Sequence, residues 1–282
     1  PGGSGWLTAI PSLPCFRVSS QCFQIMLCMK LLSPIPGTAY IRQCECGYDY
    51  KPLLDNGVHW ISSCKDCSKV SIRHNGLLPI IFRALREIDR DITEGEVANW
   101  LQGNKSLRPF DLVSTQPVPT DTGTGRRDDI NPDTQPYREL IGYDVGIADP
   151  TRLGRLPRGT PYYQVGDAAH RMYLRKLNKY SANTNRFGPL TRQVQFMPLI
   201  FEVTGARGWK ADEQFRQWCK EAAELVRKRG GLNYRGRGRD HTWNALKFAN
   251  LYSQMLSFSI VRDTALSVMK AVERAARLQT ID

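Results

Sequence analysis

Acidic residues are the scarce class in this 282-residue chain: 27 Asp and Glu stand against 39 Lys and Arg, for a formal net charge of +12. That deficit favours a polyanionic partner, because cations that neutralise phosphates release their counterions. The arginines also cluster rather than scatter, unlike an evenly solvated basic surface. Long apolar runs are lacking. The run from Cys22 to Leu32 is broken by Lys30 and followed by prolines, so no membrane span is expected. No basic segment precedes an apolar one at the start, which excludes the usual signal-peptide pattern. The chain opens on PGGSG without a methionine, as expected of a piece of a longer polypeptide. No internal repeat is found.

Cysteine is present in an even number, eight, yet a disulfide framework is not expected. The chain is too long for a small stapled scaffold, and the close pairs Cys44/Cys46 and Cys64/Cys67 have metal-ligand spacing. An intracellular, reducing compartment follows. The cluster reads C-x-C-x12-H-x4-C through Cys44, Cys46, His59 and Cys64, a set suited to tetrahedral, structural zinc. Cys67 is an alternative fourth ligand, in a ribbon-like set of four cysteines. Arg73, His74 and Asn75 follow at once. For His74 a local hydrogen bond at a helix start, a backbone-phosphate contact, and a link between the zinc module and the following core all stay open.

The rest of the chain divides by pattern. Residues 1–43 are an N-terminal segment, partly irregular. Residues 44–75 form the CCHC knuckle, 76–206 a core, and 207–282 a helical extension. Helical spacing runs through 76–103, with Thr93 and Glu96 placed as a capping box. Strands are expected at Leu107–Ser114, Leu140–Ala148 and Gln195–Val203, and helices at Ala168–Tyr180 and Lys210–Arg229. Thr242–Leu278 is one long helix or two shorter ones. Residues 116–138 are a Pro/Gly-rich loop, and 150–166 leave room for a further strand. The order predicts an α/β fold: a mixed sheet flanked by helices.

Three strings carry the chemistry: RPFD at Arg108–Asp111, YDVGIADP at Tyr143–Pro150 and KLNKY at Lys176–Tyr180. Asp111 and Asp144 fall in strands that can be neighbours. Asp144, Gly146 and Ala148 share one face, and the small residues leave room for a metal ion and a phosphate. Two carboxylates can hold magnesium or manganese beside a phosphodiester, and a lysine can stabilise the charge that develops. Lys176 and Tyr180 project together from a helix, with Lys179 one turn from Lys176. Arg73, His74 and Arg108 are expected at nucleic acid, as are Arg235, Arg237 and Arg239 of the glycine-rich loop RGRGRDH. Trp209, Trp218 and Trp243 are expected as core or helix-packing residues rather than base-stacking platforms. Cys219 is expected to be buried without a catalytic role.

The same strings resemble the C-terminal region of non-LTR retrotransposon polyproteins. That region pairs a zinc knuckle with a restriction-endonuclease-like domain of the PD-(D/E)xK superfamily. SGWLTAIP at Ser4–Pro11 is similar to the segment before the knuckle. CECG, His59, Cys64 and RHN follow the family order. RPFD, YDVGIADP and KLNKY resemble its RP-x-D and DV-x-x-x-DP strands and its K-x-x-KY helix. FMPLIFEVTG at Phe196–Gly205 is similar to its next strand. The resemblance covers about residues 4 to 210. It implies a nuclear, metal-dependent DNA endonuclease that nicks target DNA to prime reverse transcription. Asp111 and Asp144 would bind the metal and Lys176 would be the catalytic lysine. Lys179 and Tyr180 would support it, with Glu202 a secondary acid near the site. Element RNA is a second partner, and a reverse transcriptase domain would lie outside this chain, since no YxDD string occurs in it. The superfamily lysine two residues after the second acid is replaced by Gly146. A non-cleaving nucleic-acid-binding remnant is the alternative, and a zinc-stabilised interaction domain a third reading.

Overall fold

The computed structural model describes residues 4–9, 13–44, 46–49, 59–64, 70–88, 90–94, 109–115, 140–150, 166–180, 194–229 and 245–279. Its architecture is mixed α/β. Four strands line up as β1 (Ile92–Glu94), β2 (Leu112–Thr115), β3 (Leu140–Ala148) and β4 (Val194–Glu202). β1 with β2 and β2 with β3 run antiparallel, and β3 with β4 runs parallel. A parallel neighbour needs a crossover, and α3 (Asp167–Tyr180) lies between β3 and β4 in the chain. The remaining helices are α1 (Ser20–Leu31), α2 (Val70–Glu87), α4 (Trp209–Arg229) and α5 (Ala245–Gln279).

Alternation along β3 gives the sheet two buried faces. Ile141, Tyr143, Val145 and Ile147 enter the main core with Leu77, Ile81 and Leu85 of α2, Phe215 and Trp218 of α4, and Phe248, Tyr252 and Ile260 of α5. Helices α4 and α5 thus share the core of the sheet. On the other face, Ala148 and Ile200 pack on Ala168 and Ala169 of α3. At the opposite end of that face, Phe110 lies where a Cβ on Gly142 would come within 2.3 Å of its ring. Phe110 and Tyr180 both pack against Phe196. Asp144 therefore sits between two small apolar clusters.

The single helix α5 runs 35 residues, about 52 Å, and serves two cores. Its second half, from Phe258 to Ala275, packs with Trp6, Phe16, Ile25 and Met26 and with the Cys/His segment through Cys44, Trp60 and Cys64. Helix α1 lies in the weakly patterned segment 1–43; the Ser19 side chain caps it by accepting from the Cys22 N–H at 3.2 Å. The helical pattern of 76–103 is corrected where it is described, and its last part, residues 95–103 with Glu96, lies outside the described residues. Helix α2 starts at Val70, inside the span assigned to the knuckle, and stops at Glu87, while Thr93 belongs to β1 rather than to a helix cap. Pairing of Thr93 with Val113 prevails over local helical spacing there. The further strand expected in 150–166 and the loop 116–138 lie outside the described residues, apart from Pro150 and Gly166. Among the described residues no helix is long and apolar enough to cross a membrane.

Candidate active site and metal cluster

Asp111 immediately precedes β2, one position beyond the Leu112–Tyr143 pair, and so stands opposite Asp144. Two hydrogen bonds fix it there. Its backbone N–H donates to the Tyr143 carbonyl at 2.8 Å, and its Oδ2 accepts from the Val145 N–H at 2.7 Å. Both residues flanking Asp144 are thereby tied to Asp111. Like charges on facing strand positions repel, so this pairing is unfavourable without compensation. Lys176 supplies it from α3: Nζ donates to Asp144 Oδ1 at 2.5 Å and to the Val145 carbonyl at 2.9 Å. Burial pushes the Asp144 carboxyl above its usual range, Lys176 pulls it back, and Asp111 adds to the rise.

Gly146 explains how the lysine reaches Asp144 from a helix. A Cβ at 146 would lie 2.8 Å from Ile200 Cδ1 and 3.0 Å from both Lys176 Cε and Met172 Sδ. The stem of Lys176 occupies the space that a side chain at 146 would need. Lys179 is exposed; its ammonium lies 4.8 Å from the centre of the Tyr180 ring, and its charge eases ionisation of Asp144. Tyr180 is buried against Phe196, so its ring anchors the end of α3. Glu202 pairs with Ala148, four residues or about 13 Å along the strand from the Asp144 pair, and burial raises its carboxyl. It stands near Asp149 and Ala169 rather than beside Asp144.

His74 is the residue whose place the sequence left open. From the first turns of α2 its Nε2 lies 3.0 Å from Asp111 Oδ2, and Nδ1 contacts Asn75 Oδ1 at 3.1 Å. The hydrogen bond to Asp111 raises its pKa against the opposing effect of burial. Arg73, next in the chain, is buried and donates Nη1 to the Ile61 carbonyl at 3.2 Å. These adjacent residues therefore bridge the Cys/His segment and the acidic site. The RHN string was the available signal, but nothing in it names Asp111 as the partner.

Cys44, Cys46, His59 and Cys64 come together, with their ligand atoms all within 4.8 Å of one another. This cluster could hold a metal ion. The sulfurs of Cys44 and Cys64 are 3.6 Å apart, and Cys46 Sγ is 3.2 Å from His59 Nε2. Tetrahedral zinc with bonds of about 2.3 Å sets its sulfurs about 3.8 Å apart, so the spacing is compatible with structural zinc. Local backbone geometry builds the cluster. The Gly47 N–H bonds to the Cys44 carbonyl at 2.9 Å, with Gly47 at φ +82°, a conformation that suits glycine. A wide turn, His59–Ser63, closes with the Cys64 N–H on the His59 carbonyl at 2.8 Å. Tyr48 stacks on the His59 ring at 4.0 Å. Burial pushes the Cys46 thiol up to about 11, so a metal ion would have to displace its proton.

The alternative ligand Cys67 lies outside the described residues, as do Arg108, Arg235, Arg237, Arg239 and Trp243. Trp218 is in the core, and Trp209 packs against α3 while remaining 48% exposed. Cys219 is half-buried, and burial lifts its thiol to about 11, which suits an unreactive side chain. Comparison with protein-family models gives no match, and comparison with curated proteins gives none either.

Proposed function

We propose that the chain is a restriction-endonuclease-like domain of retroelement type that nicks DNA with the help of a divalent cation. What supports this most is the meeting of Asp111, Asp144 and Lys176, which are far apart in sequence. Two carboxylates on facing strand positions, backed by a lysine and small side chains, form a hard-oxygen site. Among the described residues, Asp111 Oδ1 and Asp144 Oδ2 make no hydrogen bond, so each carboxylate keeps an oxygen for a cation. This donor set fits magnesium or manganese, which when bound polarises the scissile phosphate and activates water. Asp111 and Asp144 would hold the cation. Lys176 would steady the charge developing on the phosphate. His74 and the Val145 N–H would keep Asp111 in place. The Cys/His cluster would hold structural zinc, and the net positive charge would draw the polyanion. Within a retroelement, the nick would prime reverse transcription by a separate domain, on nuclear DNA.

The experiment that tests this compares DNA nicking and DNA binding in the parent protein and in Asp144→Ala. Metal-dependent nicking lost in the variant, with binding retained, supports the reading. Binding without nicking in both proteins moves the conclusion to a non-cleaving nucleic-acid module. Absence of binding even at low salt leaves a zinc-stabilised interaction domain.

A further inference from the structure

Trp209 opens α4 and packs beside the first turns of α3. Its position is fixed by backbone: the Gly208 N–H bonds to the Ile200 carbonyl at 2.8 Å, and the Asp212 N–H to the Gly208 carbonyl at 2.9 Å. A Cβ on Gly208 would meet Ala169 Cβ at 2.8 Å, so α3 and α4 touch at this point. The indole Nε1–H donates to His170 Nδ1 at 2.8 Å, and this bond fixes the ring while leaving much of it in solvent. His170 and Tyr173 stand 5.9 and 6.1 Å from its centroid, and the Lys210 ammonium lies 4.3 Å from it, held by Glu213 at 2.8 Å. Two turns along α4 from Trp209, on the same side of the helix, Arg216 is exposed and paired with Asp212 at 2.8 Å. Lys176 is six residues along α3 from His170, a rise of about 9 Å.

Resting on the endonuclease reading, we propose that Trp209, with His170 and Tyr173, is a stacking platform for an unpaired DNA base next to the phosphate held at Lys176. Three features select this ligand. An exposed, hydrogen-bonded indole offers a rigid π-surface, on which any base can stack. Lys210 at the ring and Arg216 two turns along α4 suit the flanking phosphates. A base inside an intact duplex is already stacked on its neighbours, so the platform selects a frayed or displaced nucleotide. The sequence could not reveal this, because Trp209 and His170 are brought together only by the closure of β4 against α3.

The test is binding of fluorescently labelled oligonucleotides to the full chain, without added divalent cation so that cleavage plays no part. Trp209→Ala is expected to weaken single-strand binding about 5- to 150-fold, and Trp209→Phe to retain most of it. Affinity for a blunt duplex is expected to stay at the parent level in both. An abasic residue walked along the single strand is expected to weaken the parent at one position and to leave Trp209→Ala unmoved there. Parent-level single-strand affinity in Trp209→Ala overturns the platform and leaves the endonuclease reading intact. An equal fall for single strand and duplex, or no abasic effect in the parent, also overturns it. If the parent binds no DNA at low salt, the endonuclease reading fails and the platform with it.

Discussion

At the scale of single residues, the site depends on what Gly146 leaves out. Gly146→Ala adds one carbon where Ile200, Lys176 and Met172 already close the space. Overpacking of this kind costs about 1–3 kcal/mol, and the most movable neighbour is the lysine stem. We expect the variant to fold with a modest loss of stability and to lose nicking more than its stability loss explains. Thermal melting and initial rates check this; full activity would show that Lys176 does not need its observed place. His74 gives a pH test. The Asp111 hydrogen bond raises its pKa, so its contribution to stability is complete below the ordinary value of 6.5 and is lost as pH rises through the raised folded value. The difference in Tm between parent and His74→Gln is therefore expected to narrow as pH is raised through that window. A difference independent of pH would contradict the pairing.

At the scale of elements, the Cys/His cluster joins the hairpin around Gly47 to the turn His59–Ser63, and Cys44, Trp60 and Cys64 seat both on α5. Cys64→Ser is expected to cost about 2 kcal/mol or more, roughly 4–8 °C in Tm, and to abolish the effect of zinc chelators on the melt. Because Arg73 ties this turn to α2 and His74 ties α2 to Asp111, the same variant should need more magnesium for nicking. Unchanged melting on chelation would argue against a resident metal ion. The elements differ in how far the sequence disclosed them. β3, α3, β4 and α4 fall within a residue or so of their expected limits, because alternation and helical spacing there coincide with burial. Asp144, Gly146 and Ala148 could be placed on one face for the same reason. β1 was hidden, because Ile92–Glu94 becomes a strand only through pairing with β2. The contacts His74–Asp111 and Arg73–Ile61 and the exposure of Trp209 depend on how helices dock, which local patterns do not encode.

At the scale of the whole molecule, on the proposed reading a charge of +12 would draw a polyanion before any base is contacted. DNA affinity should fall linearly on a log–log plot against salt, with a slope of about −0.9 for each phosphate neutralised. Salt-insensitive binding would contradict an electrostatic footprint. The shared core also matters here, since α4 and α5 pack on the sheet that carries the acids, and removing them should unfold the site rather than trim it. On the proposed reading, Asp111, Asp144 and Lys176 form one metal-dependent cleavage site. The most direct measurement is nicking of supercoiled plasmid with magnesium or manganese by the parent protein, Asp111→Ala and Lys176→Ala. Nicking by the parent, its loss in both variants, and DNA binding retained in all three are expected; nicking that survives in either variant, or a parent that binds DNA but never nicks it, would contradict this site.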